Sequence, residues 1–342
     1  MSGMLPTIGI TMGDPAGIGP EIIAKALSRP DVYEWCRPVV FGERRTMERA
    51  LSLLSLPSKI VEAVGPDAAL VEPSANVLAL VDISFPSSPP AFGELSPEAG
   101  DAAYRYVKEA VQYGMAGRID AICTAPLNKE AMHLGGHRYP GHTELLAELM
   151  GVTEYAMMLA APRLRVIHAT THIGLVEAIA SLTPARVLRV IRLAHDLLKN
   201  GGMDNPRIAV CGINPHAGEN GLFGQGEEEA KIVPAVQEAA AAGIEVTGPY
   251  PADTLFYRAV KGDFDVVVAM YHDQGHIPVK VLGLEQGVNI SVGMPLVRTS
   301  VDHGTAFDIA GTGKADESSL LEAIRQAALL TRTPKERREA SC

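Results

Sequence analysis

Asp265–Lys280 reads DVVVAMYHDQGHIPVK. Its first half, Val266 to Met270, is an unbroken apolar run rich in β-branched residues, the pattern of a strand covered on both faces in a parallel sheet. The run ends in chemistry. Tyr271, His272, Asp273, Gln274, Gly275, His276 and Pro278 follow at once, so a rigid strand delivers an imidazole and a carboxylate to a loop at its carboxyl end. Open α/β sheets bind ligands at that edge. A lone His272 there reads as a hydrogen-bonded loop residue, and a site requires other groups to converge on it.

Outward from this stretch the same pattern repeats. Thr7 to Met12, Val39 to Phe41, Val77 to Val81, Ala121 to Thr124, Arg165 to Thr171 and Arg207 to Gly212 are each expected as strands, alternating with amphipathic helices. Alternation along the whole chain implies an α/β/α sandwich. At 342 residues the chain has length for two domains of about 150 residues each. Two α/β lobes around a central cleft are therefore expected, discontinuous in sequence: 1–125 with 300–330 in one and 126–299 in the other. Ser84 to Pro90 reads as a surface connection or lobe boundary, and the basic end 331–342 as a solvated tail.

A formal net charge of -10 argues against a nucleic-acid partner, while 30 Lys and Arg leave cations for local recognition of an anionic small molecule. The four cysteines lie far apart with no C-x-x-C pair, which fits reduced thiols in a cytoplasmic protein. No segment resembles a secretion signal, and no apolar run is long enough to cross a bilayer. Gly13 to Glu21 forms a glycine-rich turn between the first strand and a helix running through Leu27. It lacks the third glycine of G-x-G-x-x-G, and no G-x-x-x-x-G-K-[ST] occurs anywhere, so it reads as a tight turn.

Histidines recur where strands end. His172 follows the run RVIHATT; His168 precedes it by four residues and shares its face if the strand continues, but a histidine inside such a run is often packed in the core. His216 follows RIAVCG, and His272 follows VVVAM. Three imidazoles with open positions suit a catalytic divalent metal. Linear sequence does not say that the three loops meet. Elsewhere, His142 and Thr143 open an apolar helix, where free N–H groups favour either a bound anion or a simple cap by Thr143. Between Gly287 and Ala306 polar residues are denser than a core needs, and Lys280, Asn289 and Arg298 offer charge and donors for a phosphate or carboxylate.

Taken together, GDPAGIGPE (13–21), PGHTE (140–144), TTH (170–172), NPHAGE (214–219) with GQGEEE (224–229), PADT (251–254), YHDQGHIPVK (271–280) and RTSVDHGTAFDIAG (298–311) resemble the PdxA family, the 4-hydroxythreonine-4-phosphate dehydrogenases of pyridoxal phosphate biosynthesis. The resemblance runs from Gly9 to about Leu330. It implies a fold similar to isocitrate and isopropylmalate dehydrogenases, whose dinucleotide site is not a Rossmann fingerprint. It implies NAD or NADP, one divalent metal (zinc, magnesium, cobalt or manganese) on His172, His216 and His272, and substrate contacts from His142, Thr143, Lys280, Asn289 and Arg298. It further implies a homodimer with the site completed across the interface.

The reaction so implied is oxidation of the C3 hydroxyl of a 4-phosphorylated hydroxy acid, followed by decarboxylation of the β-keto acid. The base is open among Lys280, Asp253 and Asp273. One departure bears on the substrate: His276 in GHIPVK resembles a related branch that oxidises D-threonate or D-erythronate 4-phosphate in sugar-acid catabolism. The alternatives from other classes are a phosphate acyltransferase of the same broad fold, needing neither metal nor dinucleotide, and a non-catalytic binding protein.

Overall fold

The strands are β1 (Thr7–Thr11), β2 (Arg37–Gly42), β3 (Lys59–Glu62), β4 (Val77–Asp82), β5 (Ala121–Thr124), β6 (Ala156–Ala161), β7 (Leu164–His168), β8 (Ile208–Cys211), β9 (Val246–Tyr250), β10 (Val266–Ala269), β11 (Val288–Val292) and β12 (Val297–Val301). They come from a computed structural model that describes residues 5–63, 74–84, 88–283 and 287–331. Part of the Ser84–Pro90 connection and the basic tail beyond Thr331 lie outside those residues. The described residues form two compact units: those up to Thr153 together with 294–331, and Glu154–Gly293.

In the first unit the strands run in the order β3-β4-β2-β1-β5-β12, with every pairing parallel. β1 is buried along its whole length, as a strand covered on both faces must be. The turn after it is tight, as its glycine spacing implied. Gly13 takes a positive φ of 71°, Asp14 N–H donates to Pro126 O at 2.9 Å, and Asp14 Oδ1 accepts from Ala16 N–H at 2.9 Å.

Residues 126–153, which the sequence suggested for the other lobe, pack here. Asn128 caps the helix Lys129–Leu134 by accepting from Ala131 N–H at 3.0 Å. Gly100 of the helix Pro97–Met115 lies so close to the Ala131 backbone that no side chain fits. His137 stacks on Tyr104 of that helix at 3.7 Å and reaches Asp101 Oδ1 at 2.9 Å. Leu296 packs on Gly114 of the same helix, which draws the chain from Met294 onward into this unit.

The second unit has the order β11-β6-β7-β10-β8-β9. β7, β10, β8 and β9 are parallel, while β6 is antiparallel to both β11 and β7. The β6–β7 hairpin turns through Pro162 and Arg163 and carries no glycine signal, so sequence punctuation did not reveal it. Its core packs Leu159, Val166, Ala209, Cys211, Val267 and Val279 together. The apolar run at 266–269 is β10, flanked on both sides by parallel neighbours and fully buried.

Two local expectations are corrected. β7 ends at His168 rather than continuing to Thr171: Ala169 N–H gives the last ladder bond, to Ala269 O at 2.8 Å, and by His172 the chain has a left-handed φ of 23°. His272 does not sit in a loop. It opens the helix His272–Gly283, with Pro278 inside. Among the described residues no helix is long and apolar enough to cross a membrane.

Candidate active site

β7, β10 and β8 are neighbours, all parallel, with Ala269 in register with His168 and Val268 with Val210. Their carboxyl ends therefore share one edge, and the segments carrying His172, His272 and His216 all leave from it. Side chains tie that edge together. Thr170 Oγ1 donates to Met270 O at 2.7 Å. Buried Gln274 accepts from Met270 N–H at 2.7 Å and donates from Nε2 to Gly212 O at 2.7 Å, joining the end of β10 to the end of β8. Sequence reading assigned Gln274 no task; its value depends on strand order, which the sequence does not give.

The His172 and His272 rings lie 5.6 Å apart between centroids. Both line a pocket of about 320 Å³ with Ile173, Leu175, Ala178, Tyr271 and Asp273. His272 Nδ1 is 2.7 Å from Asp273 Oδ1. A carboxylate only accepts, so Nδ1 carries the proton and Nε2 keeps a lone pair, the arrangement that orients a ligating imidazole.

One helical turn on, His276 stacks on His272 at 3.6 Å, and its Nδ1 is 3.0 Å from His272 O. Beneath it, at 4.6 Å, lies His168. This ring is buried, with Nδ1 3.3 Å from Met157 O and Nε2 facing no polar partner among the described residues. Burial first, and then the neighbouring His276, push its pKa down to about 3. His168 is a core histidine, neutral across the working range. Gly275 leaves room for it: a Cβ there would overlap His168 Nε2.

His216 follows β8. It begins a left-handed turn and its ring lies against Phe223 at 5.7 Å. Among the described residues no three His, Cys, Asp or Glu side chains gather closely enough to hold a metal. The donors fit a borderline cation in kind, being imidazoles, one of them held by a carboxylate; within one chain the geometry pairs two of them.

The remaining candidates divide between the units. In the second unit, Lys280 is half-buried in the helix of His272, and Asp253 is exposed in the first turn of Ala252–Val260. Asn289 on β11 donates to Met157 Sδ at 3.0 Å, while its Oδ1 is buried without a polar partner among the described residues. In the first unit, Arg298 is buried on β12 and donates to Thr124 Oγ1 at 2.7 Å; burial lowers its pKa to about 10.

His142 is the first residue of the helix His142–Leu149, whose N-cap is Gly141 with no side-chain cap. Thr143 is therefore not the cap, and the positive end of the helix dipole favours negative charge here. The His142 pKa is held well below the imidazole range by burial first, then by the positive charges of Arg298 and Lys129. Its Nε2 is buried without a hydrogen-bond partner among the described residues. A buried imidazole, an arginine, a lysine and a helix amino terminus thus gather positive charge and donors at this corner.

Residues 34–327 match the family model described as Pyridoxal phosphate biosynthetic protein PdxA. The chain belongs to the PdxA family. A relative from Cupriavidus necator named D-threonate 4-phosphate dehydrogenase is 59% identical over 330 residues, covering 96% of this chain and 98% of its own. One from Trichlorobacter lovleyi, named 4-hydroxythreonine-4-phosphate dehydrogenase, is 46% identical, covering 96% and 98%.

A crystal structure of a 4-hydroxythreonine-4-phosphate dehydrogenase from Burkholderia phymatum superposes with a TM-score of 0.88 at 58% identity, covering 96% of this chain and 99% of that one. A β-decarboxylating dehydrogenase from Thermococcus kodakarensis, 17% identical with a TM-score of 0.50, covers 95% of this chain and 82% of that one. That last likeness is one of fold alone, and it agrees with the fold relationship implied by the sequence motifs.

Proposed function

We propose that this PdxA-family chain is a dehydrogenase that oxidises the C3 hydroxyl of a 4-phosphorylated four-carbon hydroxy acid and then releases carbon dioxide, with D-threonate 4-phosphate as the substrate. The observation that carries the reaction is the His172–His272 pair over its pocket, with Asp273 holding the His272 tautomer. The sugar-acid substrate rests on His276, which resembles that branch, and on the name of the 59% identical relative. 4-Hydroxythreonine 4-phosphate is the second reading, favoured by the name of the Burkholderia phymatum structure.

The chemistry supplied by the bound groups is Lewis-acid polarisation of the C3 oxygen by one divalent cation, and acceptance of two electrons by NAD or NADP. His172, His216 and His272 would hold the cation, each through an unprotonated ring nitrogen. Arg298, His142 and Thr143, with Lys280 and Asn289, bind the phosphate and carboxylate and so fix C3 in place. Asp273 is engaged on His272, which leaves Lys280 or Asp253 to take the hydroxyl proton. Once C3 is a ketone β to the carboxylate, it accepts the electrons released as carbon dioxide leaves.

A second copy of the chain completes the site in this reading. Among the described residues of one chain, His172 and His272 face each other but no three metal-ligating side chains gather. The protein acts in the cytoplasm.

The test is NADH or NADPH formation with D-threonate, D-erythronate and 4-hydroxy-L-threonine 4-phosphates, each with added divalent metal and again in EDTA. Preference for a sugar acid with loss of turnover on chelation is expected. Preference for the amino substrate moves the chain to the pyridoxal phosphate route. No NADH or NADPH formation from any of the three, with or without metal, favours a phosphate acyltransferase.

A further inference from the structure

The backbone that presents His216 is unusual. His216, Ala217, Gly218, Glu219, Asn220 and Gly221 have φ of 53°, 52°, 81°, 41°, 55° and 88°, six consecutive residues in the left-handed region, four of them not glycine. Side-chain-bearing residues avoid that region singly and almost never string together in it. Such a run persists only where its surroundings over-determine it, and such places cluster at functional sites.

What determines it is a buried carboxylate. Glu228 is 1% exposed. Its Oε1 accepts from Ile213 N–H at 2.8 Å and from Asn214 N–H at 2.7 Å, and its Oε2 accepts from Asn214 Nδ2 at 2.9 Å. Asn214 Nδ2 also donates to Glu227 Oε2 at 2.9 Å, and Asn214 O accepts from Ala217 N–H at 3.1 Å. The carboxylate is wedged between the end of β8 and the turn: a Cβ on Gly212 would lie 3.4 Å from Oε1, and one on Gly218 2.9 Å from Oε2. Glu228 itself opens a π-helical turn, Glu228–Ile232, a widening frequent at functional sites. An inert core would not need a buried carboxylate whose named partners are all neutral N–H groups, facing a strained turn.

We propose that Glu228, acting through Asn214, is the positioning residue for His216: it fixes the backbone of 212–214 and with it the left-handed turn that aims the His216 ring at a divalent cation. The GQGEEE motif thereby acquires a task in this chain. The proposal rests on the reading of His216 as a metal ligand, and the experiment separates the two.

Full-length wild-type protein, Glu228→Gln, Asn214→Ala and His216→Ala are titrated with cobalt(II), without substrate or cofactor. Visible d–d absorption and the dissociation constant are recorded, alongside thermal unfolding of the metal-free proteins. Gln keeps the shape and the Oε1 contacts but turns an NH2 group toward Asn214 Nδ2, so only the Asn214 side-chain link is lost. The expected result is cobalt affinity weaker by about 10- to 100-fold, the usual effect of removing a group that orients a ligand, with an altered d–d band. Asn214→Ala, which spares the carboxylate, shifts both in the same direction. If Glu228→Gln and Asn214→Ala melt earlier but bind cobalt with wild-type affinity and spectrum, while His216→Ala loses the band, Glu228 is a fold clamp only and the proposal is overturned. If His216→Ala itself binds as wild type, the metal reading of His216 fails, and the proposal with it.

Discussion

Gly275→Ala tests how closely the histidine column is packed. Gly275 is the fourth residue of the helix His272–Gly283, where alanine is ordinarily better than glycine by about 1 kcal/mol. Here a Cβ would stand 2.7 Å from Val166 Cγ1 and 3.0 Å from Ala269 Cβ, and would overlap His168 Nε2 more deeply still. The ring has nowhere to go: His168 is 1% exposed, held at Met157 O and covered by His276. Overpacking of this kind costs about 1–3 kcal/mol, and two overlapping neighbours place it at the upper end. After the helix-propensity gain, the net loss is about 1–2 kcal/mol. For a unit of this size each kcal/mol moves Tm by about 2–4 °C, so the transition of residues 154–293 should fall by about 2–8 °C.

Thermal unfolding by circular dichroism measures this fall, and His168→Ala provides the control. With the ring removed, the largest overlap disappears, and Gly275→Ala should cost roughly 1 kcal/mol less in that background, a coupling of the size seen between touching residues. A Gly275→Ala protein that melts at or above wild type would refute the packing argument. So would a penalty that His168→Ala leaves unchanged.

Arg298→Lys keeps a positive charge but loses the planar fork; KM for the phosphorylated substrate should rise about 10- to 100-fold, the worth of one or two charge-assisted hydrogen bonds, with kcat and Tm much less affected. An unchanged KM would make Arg298 a structural partner of Thr124 and nothing more. Asp14→Asn should raise stability at pH 8 relative to wild type by up to about 3 kcal/mol, 2.2 pH units at about 1.4 kcal/mol each, since burial raises the Asp14 pKa from 3.8 to about 6. Urea midpoints at pH 5 and pH 8 check it, and equal midpoint differences at both values would rule the effect out.

The parallel core was legible because burial on both faces leaves only one kind of sequence. VVVA at 266–269 and IAVC at 208–211 admit little else than central strands, and both are. The histidines at their ends were legible as residues, but their adjacency was not, since the order β7-β10-β8 is a property of the whole sheet. The helix at His272 was missed for a local reason. HDQGHIPVK carries a glycine and a proline, both poor helix formers, and is held by contacts outside itself: Gln274 to Met270 and Gly212, and Gly275 against His168. Had the segment read as a helix, the i,i+4 spacing would have placed His272 and His276 on one face. The same applies to Glu228, whose partners are 14 and 15 residues away in sequence.

The two units carry buried titratable groups of opposite sense, and this yields a prediction that neither group makes alone. Asp14, in the first unit, has a folded pKa raised from 3.8 to about 6. Between those values the folded state holds more protons than the unfolded one, so its contribution to stability is present at low pH and lost as pH rises toward 6. His168, in the second unit, has a folded pKa lowered from 6.5 to about 3. In that window the unfolded state holds more protons, so its contribution is present above 6.5 and lost as pH falls, by up to about 1.4 kcal/mol per pH unit.

Acidification from pH 7 to pH 5 therefore strengthens the surroundings of Asp14 and weakens those of His168. Amide hydrogen exchange resolves the two by peptide: protection of β7 and β10 should fall relative to that of β1 and β5. His168→Gln, which keeps an amide donor for Met157 O but does not titrate, should flatten the first change, and Asp14→Asn the second. If β7 and β10 lose protection equally in His168→Gln, the proton is taken up elsewhere, and burial of the His168 ring is not what makes this unit acid-labile.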